Sequence, residues 1–396
     1  MIFNFLGSNY SNRFGWRFLL ARKSEAACED LRTRLAERYG GKAHLYHRGR
    51  AALREAVRLS GADHVLISGF TCYVVEEAVR DAGSRPVFAD VSRRTFNFTL
   101  SGLRKAHEAQ PAIGAVIVQN TFGIGDEIKP LARYCREAGL TLIEDLAHCP
   151  DNDYADGEPF GKVGDLVVLS FGDSKQIDVV AGGALIIRSK ALVSESAGPK
   201  LPGGVRASNF LERLQPLITV WLRNSYRCRP LARVVHGFLR RIRLLRFAAD
   251  GSLCRDIGLH PARAKFVLEQ WQHLEEDKER RRRLSRVYSR ILRTANPLLA
   301  GQPLLRYPVL LESSEVRNRL LAAADAKGFL LKDHWYDTPV HPSRFTELSA
   351  YKPGSCPEKE RMNQQIINLP LHKNISREKV EELAKLVAGF KRVANK

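Results

Sequence analysis

The chain has 396 residues, 44% of them hydrophobic, and a formal net charge of +20. This length and composition exclude a single small domain and favour one large and one smaller globular domain. The seven cysteines form no CxxC pair, which argues against a disulfide framework or a metal centre and favours a reducing compartment. No apolar run reaches the roughly 18 residues of a membrane span, and the N-terminus lacks a signal-peptide pattern. We therefore expect a cytoplasmic protein, attached to a membrane at most peripherally.

The first half of the sequence predicts alternating helices and strands. Short apolar runs between helical patterns are typical of βαβ units and a mostly parallel sheet. The predicted elements are a helix at 53–59, a strand at 63–69, a helix at 73–83, strands at 85–91 and 112–120, a helix at 128–139, and strands at 140–145, 165–171 and 183–188. We expect an α/β fold with a mostly parallel central sheet flanked by helices.

The second half of the sequence predicts a smaller C-terminal α/β domain. The predicted elements are a long charged helix at 268–293, strands near 305–311 and 328–336, and a terminal helix at 376–393. We place the large domain at residues 1–255 and the small domain, with the long helix that leads into it, at residues 256–396.

Several chemically useful side chains follow predicted strands, at the sheet edge where open parallel sheets bind ligands. They are Cys72, Asp145, His148, Ser170 and Lys175. Gly49, in "HRGRAA" before a predicted helix, can bring free backbone N–H groups close to an anion. A lysine, an acid and an anion nest together favour a site for one particular cofactor, pyridoxal phosphate.

That cofactor requires each of these parts. A lysine forms a Schiff base with it, an acid keeps its ring nitrogen protonated, and amides with hydroxyls hold its phosphate. From the residues alone, two simpler interpretations stay open. Lys175 could be a solvated turn lysine, and Asp145 could be the N-cap of a following helix.

Five segments carry a resemblance to a known family. They are "HRGRAAL" at 47–53, "GFTCYVVEEAVRDAGSRPVFADVSRRTFN" at 69–97, "IEDLAH" at 143–148, "LSFGDSKQIDVVAGG" at 169–183 and "RMNQQIINLPLHKNIS" at 361–376. The chain resembles the DegT/StrS sugar aminotransferases, which are fold-type I pyridoxal phosphate enzymes. The resemblance covers residues 40–200 and 258–390, and it implies the same fold and cofactor.

The resemblance also implies roles for single residues. Lys175 would be the catalytic lysine that binds the cofactor, and Asp145 would pair with the pyridine nitrogen. Ser170 and the amides around Gly49 and Arg50 would hold the phosphate. His148, where the family usually has glutamine, would donate to the phenolic oxygen, or would be a satisfied buried histidine.

Other implied roles have alternatives. Cys72 stands where an aromatic residue commonly stacks on the ring, although Tyr73 would take that place if the register slips by one. The Arg50 side chain would pair with phosphate or face solvent, and the Ser170 hydroxyl could instead bond to backbone.

Some family positions are changed, and these changes bear on the substrate. Ala181 replaces a glutamate, Gly172 replaces a histidine, and the family's "GxNxR" sequence is not recognisable. The segment 333–342, with its "HWYDTPVH" pattern, would supply Trp335, Tyr336 and His341 to a substrate pocket, and a packed surface loop is the alternative.

By the same resemblance, the enzyme would be a homodimer that moves an amino group, typically from glutamate, to a keto-sugar. The acceptor would be linked to a nucleotide or a lipid, and the product would serve surface polysaccharide, lipopolysaccharide or a glycosylated metabolite. The alternative is a catalytically altered homologue that acts as a membrane-associated partner-binding or regulatory protein.

A basic segment at about 204–250 departs from the family's architecture. It contains ten arginines between residues 205 and 247 and one acid, Glu212. Its apolar residues recur at helical spacing: Val235, Phe238, Leu239, Ile242 and Leu245. This pattern favours a helix on an anionic membrane surface. The alternative is a helix packed on the neighbouring subunit, with its arginines solvated or binding substrate phosphates. No nucleic acid is expected as a partner, because no recognised module accompanies the charge.

Overall fold

The computed structural model describes residues 1–4, 6–199, 206–242, 244–245, 257–332 and 335–393. The helices are α1 (Asn12–Leu19), α2 (Glu25–Tyr39), α3 (Gly49–Ser60), α4 (Tyr73–Asp81), α5 (Leu100–Ala109), α6 (Lys129–Glu137), α7 (Lys190–Val193), α8 (Arg206–Ser225), α9 (Arg229–Arg241), α10 (Pro261–Gln272), α11 (Leu274–Leu292), α12 (Pro297–Ala300), α13 (Ser314–Ala326), α14 (Pro357–Gln365) and α15 (Arg377–Val393). The strands are β1 (Ile2–Phe3), β2 (Lys42–Tyr46), β3 (His64–Ser68), β4 (Arg85–Ala89), β5 (Ile113–Val118), β6 (Thr141–Asp145), β7 (Leu166–Ser170), β8 (Gly183–Ile187), β9 (Arg306–Leu310), β10 (Phe329–Leu330) and β11 (Ile366–Pro370).

The central sheet has seven described strands in the order β2-β8-β7-β6-β5-β3-β4. Among these strands β8 alone is antiparallel to its neighbours, so the sheet is mostly parallel, as predicted. Strand β2 was not predicted. Among the described strands it pairs only with β8, in an antiparallel register that nothing local in its sequence specifies.

Both faces of this sheet are buried. Along the strands, alternate apolar side chains enter two separate clusters, one with Leu66, Val116 and Leu142 and the other with Val65 and Ile143. Strands buried on both faces read as continuous apolar runs, which is why they were visible in the sequence. The carboxyl ends of β3, β5, β6 and β7 therefore meet at one edge.

The C-terminal part is built on the antiparallel pair β9–β11 and on contacts between α11 and α15. The predicted helix at 268–293 is divided, because α10 ends and α11 begins around His273. The strand predicted near 328–336 is reduced to β10, which pairs with β1 at the N-terminus. The predicted domain boundary after residue 255 lies outside the described residues and stays a prediction.

The basic segment folds mainly into α8 and α9. Helix α8 packs on α1, where a Cβ on Gly15 would lie 2.6 Å from Leu217 Cδ2. Arg213 donates to carbonyls at the end of α1, and Arg223 donates to the carbonyls of Gly7 and Tyr10. These two arginines therefore hold the fold together and are not simply solvated.

The predicted apolar face of α9 is divided between the interior and the solvent. Leu239 and Leu245 are buried against Leu222, whereas Phe238 and Ile242 are exposed. The sequence pattern located the apolar residues, but it could not show which of them find a partner. Within the described parts of the chain, no helix combines the length and the hydrophobicity needed to cross a membrane.

Candidate active site

A cavity of about 310 Å³ lies at the carboxyl edge of the central sheet. All seven predicted site residues line it: Gly49, Arg50, Cys72, Asp145, His148, Ser170 and Lys175. They come from the ends of three strands, β3, β6 and β7, and from the start of α3. The fold therefore brings together residues that are up to 126 positions apart, from Gly49 to Lys175.

Lys175 lies on the loop between β7 and β8, with Nζ 5.1 Å from the centre of the Trp335 ring. The carboxylate of Asp178 holds this loop in shape by accepting hydrogen bonds from the backbone N–H groups of Ser174 (2.9 Å) and Val180 (3.1 Å). Burial lowers the pKa of Lys175, and the nearby Asp145 offsets part of this effect. The lysine is half-buried in the site and is not a solvated turn residue.

The N-terminal segment holds the lysine loop in place. Asn9 Nδ2 donates to the Lys175 carbonyl at 3.1 Å, and the Tyr10 hydroxyl donates to Asp178. Asn374 Nδ2 in turn donates to the Tyr10 carbonyl at 3.2 Å. Sequence reasoning missed these contacts, because the partners are more than 160 residues apart and carry no local pattern.

Asp145 ends β6 and is buried. Its Oδ1 accepts the Ala147 N–H at 2.9 Å, which leaves its other oxygen available to the cavity. No helix begins in the described stretch 146–165, so the interpretation of Asp145 as a helix N-cap is wrong. Burial raises the pKa of this carboxyl, although Ala147 and Lys175 oppose the shift.

His148 has a defined hydrogen-bonding direction. Its Nδ1 accepts the Phe122 N–H at 2.9 Å, so the proton of the neutral ring is on Nε2, which lies 3.3 Å from the Tyr336 hydroxyl. Burial holds the pKa of His148 well below its usual range, and Lys175 and Arg306 lower it further. The histidine is therefore a neutral donor through Nε2, in addition to being well packed.

The start of α3 approaches the end of β7 closely. A Cβ on Gly49 would lie 2.7 Å from the Ser170 Cβ, so this position requires glycine. Arg48 at the N-cap makes no side-chain capping bond, which leaves first-turn N–H groups for an anion. The Ser170 hydroxyl also accepts the Gly172 N–H at 3.4 Å, so the local backbone contact is present too.

The Arg50 side chain is buried, and Glu77 already provides it with a negatively charged partner. Its Nη1 lies 2.7 Å from a carboxylate oxygen of Glu77 on α4. The expectation that it could face solvent is therefore wrong.

Cys72, at the N-cap of α4, lines the cavity. Tyr73 instead stacks on Phe345, with ring centres 4.6 Å apart, which favours Cys72 as the wall residue. Trp335, Tyr336 and His341 also line the cavity, as expected for a pocket segment. Trp335 stacks on His148 at 5.1 Å. The neighbouring residues Asp333 and His334 of this predicted segment lie outside the described residues.

An unpredicted acid from the basic segment supports the cavity from behind. Glu212 is buried, and its carboxylate lies 2.8 Å from Arg48 Nη2 and accepts a hydrogen bond from Arg263. Arg263 Nη1 also donates to the Ala181 carbonyl at 2.9 Å. The sequence contained one sign that Glu212 is buried and paired: it is the single acid among the ten arginines of residues 205–247.

These residues fit pyridoxal phosphate. The cavity offers an amine on Lys175, a buried carboxylate on Asp145, a neutral donor on His148 and an uncapped helix start beside Gly49. Because Gly49 has no side chain, the start of α3 can lie against Ser170, and the backbone N–H groups there stay open to a phosphate. With the mostly parallel sheet, this arrangement defines a fold-type I pyridoxal phosphate transferase.

The sequence matches the DegT/DnrJ/EryC1/StrS aminotransferase family over residues 47–223 and 231–388. The chain belongs to this family. The predicted family, fold type, enzyme class and cofactor are thereby confirmed, since this is a family of pyridoxal phosphate-dependent aminotransferases.

Individual relatives show the same similarity. A dTDP-4-dehydro-2,3,6-trideoxy-D-glucose 4-aminotransferase of Saccharopolyspora spinosa is 36% identical over 140 residues, which are 35% of this chain and 35% of the relative. A UDP-N-acetyl-3-dehydro-alpha-D-glucosamine 3-aminotransferase of Acidithiobacillus ferrooxidans is 23% identical over 85% of this chain and 79% of the relative. The structure of the aminotransferase TlmJ from Streptoalloteichus hindustanus has a TM-score of 0.71 at 22% identity and covers 100% of both chains.

Proposed function

We propose that this enzyme transfers an amino group from an amino-acid donor, expected to be glutamate, to a keto-sugar carried on a nucleotide or a lipid. The convergence of Lys175, Asp145 and the start of α3 on one cavity carries the proposal. Relatives named for keto-sugar substrates support the acceptor class. The product would enter the synthesis of surface polysaccharide, lipopolysaccharide or a glycosylated metabolite.

Lys175 is the proposed catalytic residue. Bound pyridoxal phosphate supplies an aldehyde and an electron-withdrawing ring that eases proton removal from the carbon beside the amino group. With the cofactor bound, the Nζ of Lys175 would accept this proton and would return it to the carbon on the cofactor side of the transferred nitrogen. Because burial lowers its pKa, a larger fraction of the amine is uncharged near neutral pH and able to act as the base.

Asp145 and His148 are the proposed partners of the cofactor ring. Asp145 would meet the ring nitrogen with the oxygen that Ala147 does not occupy, and a buried carboxylate there keeps that nitrogen protonated. His148 would donate from Nε2 to the phenolic oxygen, because its Nδ1 is engaged by Phe122. Cys72 and Trp335 would bound the ring from the sides.

The phosphate would bind at the start of α3. Gly49 and Arg50 contribute backbone N–H groups where the helix dipole favours an anion, and Ser170 contributes a hydroxyl. The Arg50 guanidinium adds positive charge, moderated by Glu77.

An absorbance scan of the purified protein tests this function. We expect a band near roughly 420 nm that falls when glutamate is added, as the cofactor is converted to its amine form. In Lys175→Ala, supplied with the same cofactor, the glutamate-dependent change should be lost, whereas Lys162→Ala should keep it, because Lys162 is outside the cavity lining. A wild-type protein that binds no cofactor after reconstitution would refute the proposal.

We also propose a homodimer, on the grounds of family membership. Sedimentation velocity on the purified protein measures the mass directly, and a species of 44.5 kDa at micromolar concentration would contradict the proposal.

The protein is further proposed to be cytoplasmic and to bind the inner face of an anionic membrane peripherally. Helices α1, α8 and α9, with the residues that directly follow α1 and α9, expose large apolar side chains, which together we name the apolar–basic surface: Trp16, Leu20, Trp221, Leu231, Val234, Phe238 and Ile242. Helix α9 contains four arginines and no acid. A two-fold interface would bring this positive charge against its own copy, whereas anionic lipid complements it.

Co-sedimentation with vesicles of phosphatidylglycerol and phosphatidylcholine tests the membrane proposal. Leu231→Gln should weaken binding, whereas Leu348→Gln, which removes an equally exposed leucine (58% against 60%) outside this surface, should not. If wild-type protein fails to sediment and the apolar–basic surface is protected from hydrogen exchange only in the dimer, a second copy covers it.

One observation favours the alternative of a catalytically altered regulatory homologue. Ala181 lines the cavity where the family's glutamate is expected, so the acceptor side of the site is changed. If regulation were the function, Lys175→Ala would still complement a deletion strain. We expect it to fail.

A further inference from the structure

We propose that Lys359, on α14, is a positioning residue that holds one wall of the active-site cavity in place. That wall is formed by residues 335–342, which we name the wall segment and which bring Trp335, Tyr336 and His341 to the cavity. Lys359 itself does not line the cavity. The inference rests on the proposed transamination and adds to it a residue that acts through its contact with this segment.

The wall segment forms neither a helix nor a strand. Neighbouring elements therefore fix its two ends. The Trp335 N–H donates to Asn368 Oδ1 on β11, and the Tyr73 N–H at the start of α4 donates to the His341 carbonyl at 2.8 Å. The residues between these ends depend on contacts from another element.

Helix α14 supplies those contacts from one face. Asn363 Nδ2 donates to the Tyr336 carbonyl, and Lys359 Nζ donates to the Pro339 carbonyl. The two donors are four residues apart and so share a helix face, and each is only 1% exposed. Lys359 therefore holds the middle of the wall segment, between the parts that Asn363 and Tyr73 hold.

The Lys359 ammonium has surroundings that are unusual for a charged group. It meets the Pro339 carbonyl and the face of the Tyr351 ring, whose centre lies 3.6 Å from Nζ, and no acid among the described residues forms an ion pair with it. Asp90, which follows β4, accepts the Lys359 backbone N–H at 2.9 Å, and Glu360 accepts the Tyr351 hydroxyl at 2.7 Å. Both nearby carboxylates are thus engaged by other donors.

Burial of Lys359 costs stability. It lowers the pKa of the lysine to about 8, although Cys356, Glu360 and Asp90 oppose the shift. A buried ammonium without an ion pair is unfavourable, because no acid replaces the water that it has lost. An apolar side chain of the same length would avoid that cost. The position of the wall segment accounts for the lysine instead, since an ammonium donates a stronger hydrogen bond than an uncharged group does.

Lys359→Met removes the ammonium and keeps the length of the side chain. In the holoenzyme, we expect the half-saturating glutamate concentration of the donor half-reaction to rise by about tenfold or more, because the wall that carries His341 is no longer held. The maximal rate should change less, since Lys175 and Asp145 are held by other elements. Stopped-flow absorbance measures both quantities. Lys352→Met is the matched control, because Lys352 is exposed and lies outside the cavity lining. An unchanged half-saturating concentration in Lys359→Met would overturn the proposal.

Thermal melting distinguishes positioning from a purely structural role. Lys359→Met should melt at or above the wild-type temperature at pH 7, because it removes a buried charge. The folded pKa of Lys359 lies below the unfolded value of about 10.4, so the cost of the charge is fully present below about pH 8 and disappears as the pH rises towards the unfolded value. The advantage of the variant should therefore shrink as the pH is raised from 7 to 10. A variant that melts well below wild type at pH 7 would show a structural role and would overturn the proposal.

Hydrogen exchange of the wall segment keeps the inference separate from the proposed function, since this measurement needs no activity. The amides of residues 336–341 should exchange faster in Lys359→Met than in wild type, and Lys352→Met should leave them unchanged. If the wild-type holoenzyme shows no glutamate-dependent absorbance change, the proposed transamination is refuted. If that change is normal and the wall segment exchanges equally in Lys359→Met and wild type, only the positioning role is refuted.

Discussion

Asp145 and Glu144 are adjacent carboxylates with opposite environments, because successive side chains of a strand point to opposite faces. Asp145 reaches the cavity, whereas Glu144 is fully buried on the other side. Glu144 accepts the Tyr154 hydroxyl at 2.6 Å and the N–H groups of Gly161 and Val163 at 2.7 and 2.9 Å. One acid therefore holds the fold and the other is available for chemistry.

Substituting each acid by its amide should separate these roles. Asp145→Asn should slow the glutamate half-reaction by about 10²-fold or more, because the amide cannot hold a proton on the ring nitrogen. Its melting temperature should stay near wild type. Glu144→Gln should lower the melting temperature, because an amide cannot accept every one of these N–H groups. Stopped-flow absorbance and calorimetry measure the two effects, and a reversed pattern would contradict the assignment.

Glu212 stabilises the fold through buried ion pairs with Arg48 and Arg263. Burial by itself raises the pKa of this carboxyl, but Arg263, His47 and Arg48 hold it well below its usual range. Removing one partner of such a pair leaves an unpaired buried charge, which costs several kcal/mol.

Glu212→Gln should therefore lower the free energy of unfolding at pH 7 by about 3–5 kcal/mol. Because the pKa is depressed in the folded state, this stabilisation is fully present above the unfolded pKa of about 4.3 and is lost as the pH falls towards the folded value. The difference between wild type and variant, measured by urea unfolding, should narrow below that pH. A difference that widens in acid would show that the charge is not paired.

At the scale of elements, the contact between the start of α3 and the end of β7 shapes the phosphate position. The antiparallel β7–β8 pair sets Ser170 opposite Gly183, and a Cβ on Gly183 would lie 2.5 Å from the Gly49 Cα. The three residues therefore leave no space for a larger side chain. The helix dipole of α3 is thereby directed at the cavity.

Gly49→Ala should lower the affinity for pyridoxal phosphate by about tenfold or more, because the new Cβ forces α3 away from Ser170 and moves its N–H groups. Gly389→Ala, on α15, is the control, since a Cβ there meets nothing within 4 Å and alanine favours the helix. Equilibrium dialysis of the cofactor measures both. Unchanged affinity in Gly49→Ala would show that the phosphate binds elsewhere.

Strands β3 to β8 of the large domain could be predicted, because strands buried on both faces leave continuous apolar runs. Helices α1, α2, α5, α7 and α8 were not predicted. Strands β2, β10 and β11 were missed or misjudged, since their pairing depends on partners distant in sequence. The break at His273 was also missed, because the charged pattern continues across it. Local sequence patterns therefore predict which strands are buried, but they do not predict which distant strands pair with each other.

At the scale of the whole molecule, the positive charges behind the net charge of +20 have two different environments. Some arginines bind groups within the fold, and others are exposed to solvent. Arg213 and Arg223 in the basic segment bind backbone carbonyls, and Arg229 lies 3.5 Å from Asp325. Others, including Arg227 and Arg241, are exposed. The segment thus joins the N-terminal helix to the C-terminal part while leaving positive charge on the outside.

Membrane binding through this charge should depend on salt in a characteristic way. Raising the ionic strength from 0.1 to 1 M shortens the screening length from about 10 to about 3 Å, so vesicle binding should weaken severalfold. It should not vanish, because burial of the exposed Trp221 and its apolar neighbours does not depend on charge. Co-sedimentation across a salt series measures this. Complete insensitivity to salt would exclude the electrostatic part of the proposal.

The sequence by itself determined the family and the fold class, and it singled out Lys175, Asp145 and Gly49, which the structure brings to one cavity. These depend on short-range patterns: apolar runs, motif spacing and strand ends. Only the tertiary structure decided that Arg50 pairs with Glu77, that Glu212 pairs with Arg48 next to the cavity, and that Arg240 lines the cavity. Each of these facts joins elements far apart in the chain, and burial and charge pairing at that distance are properties of the packing and not of any local segment.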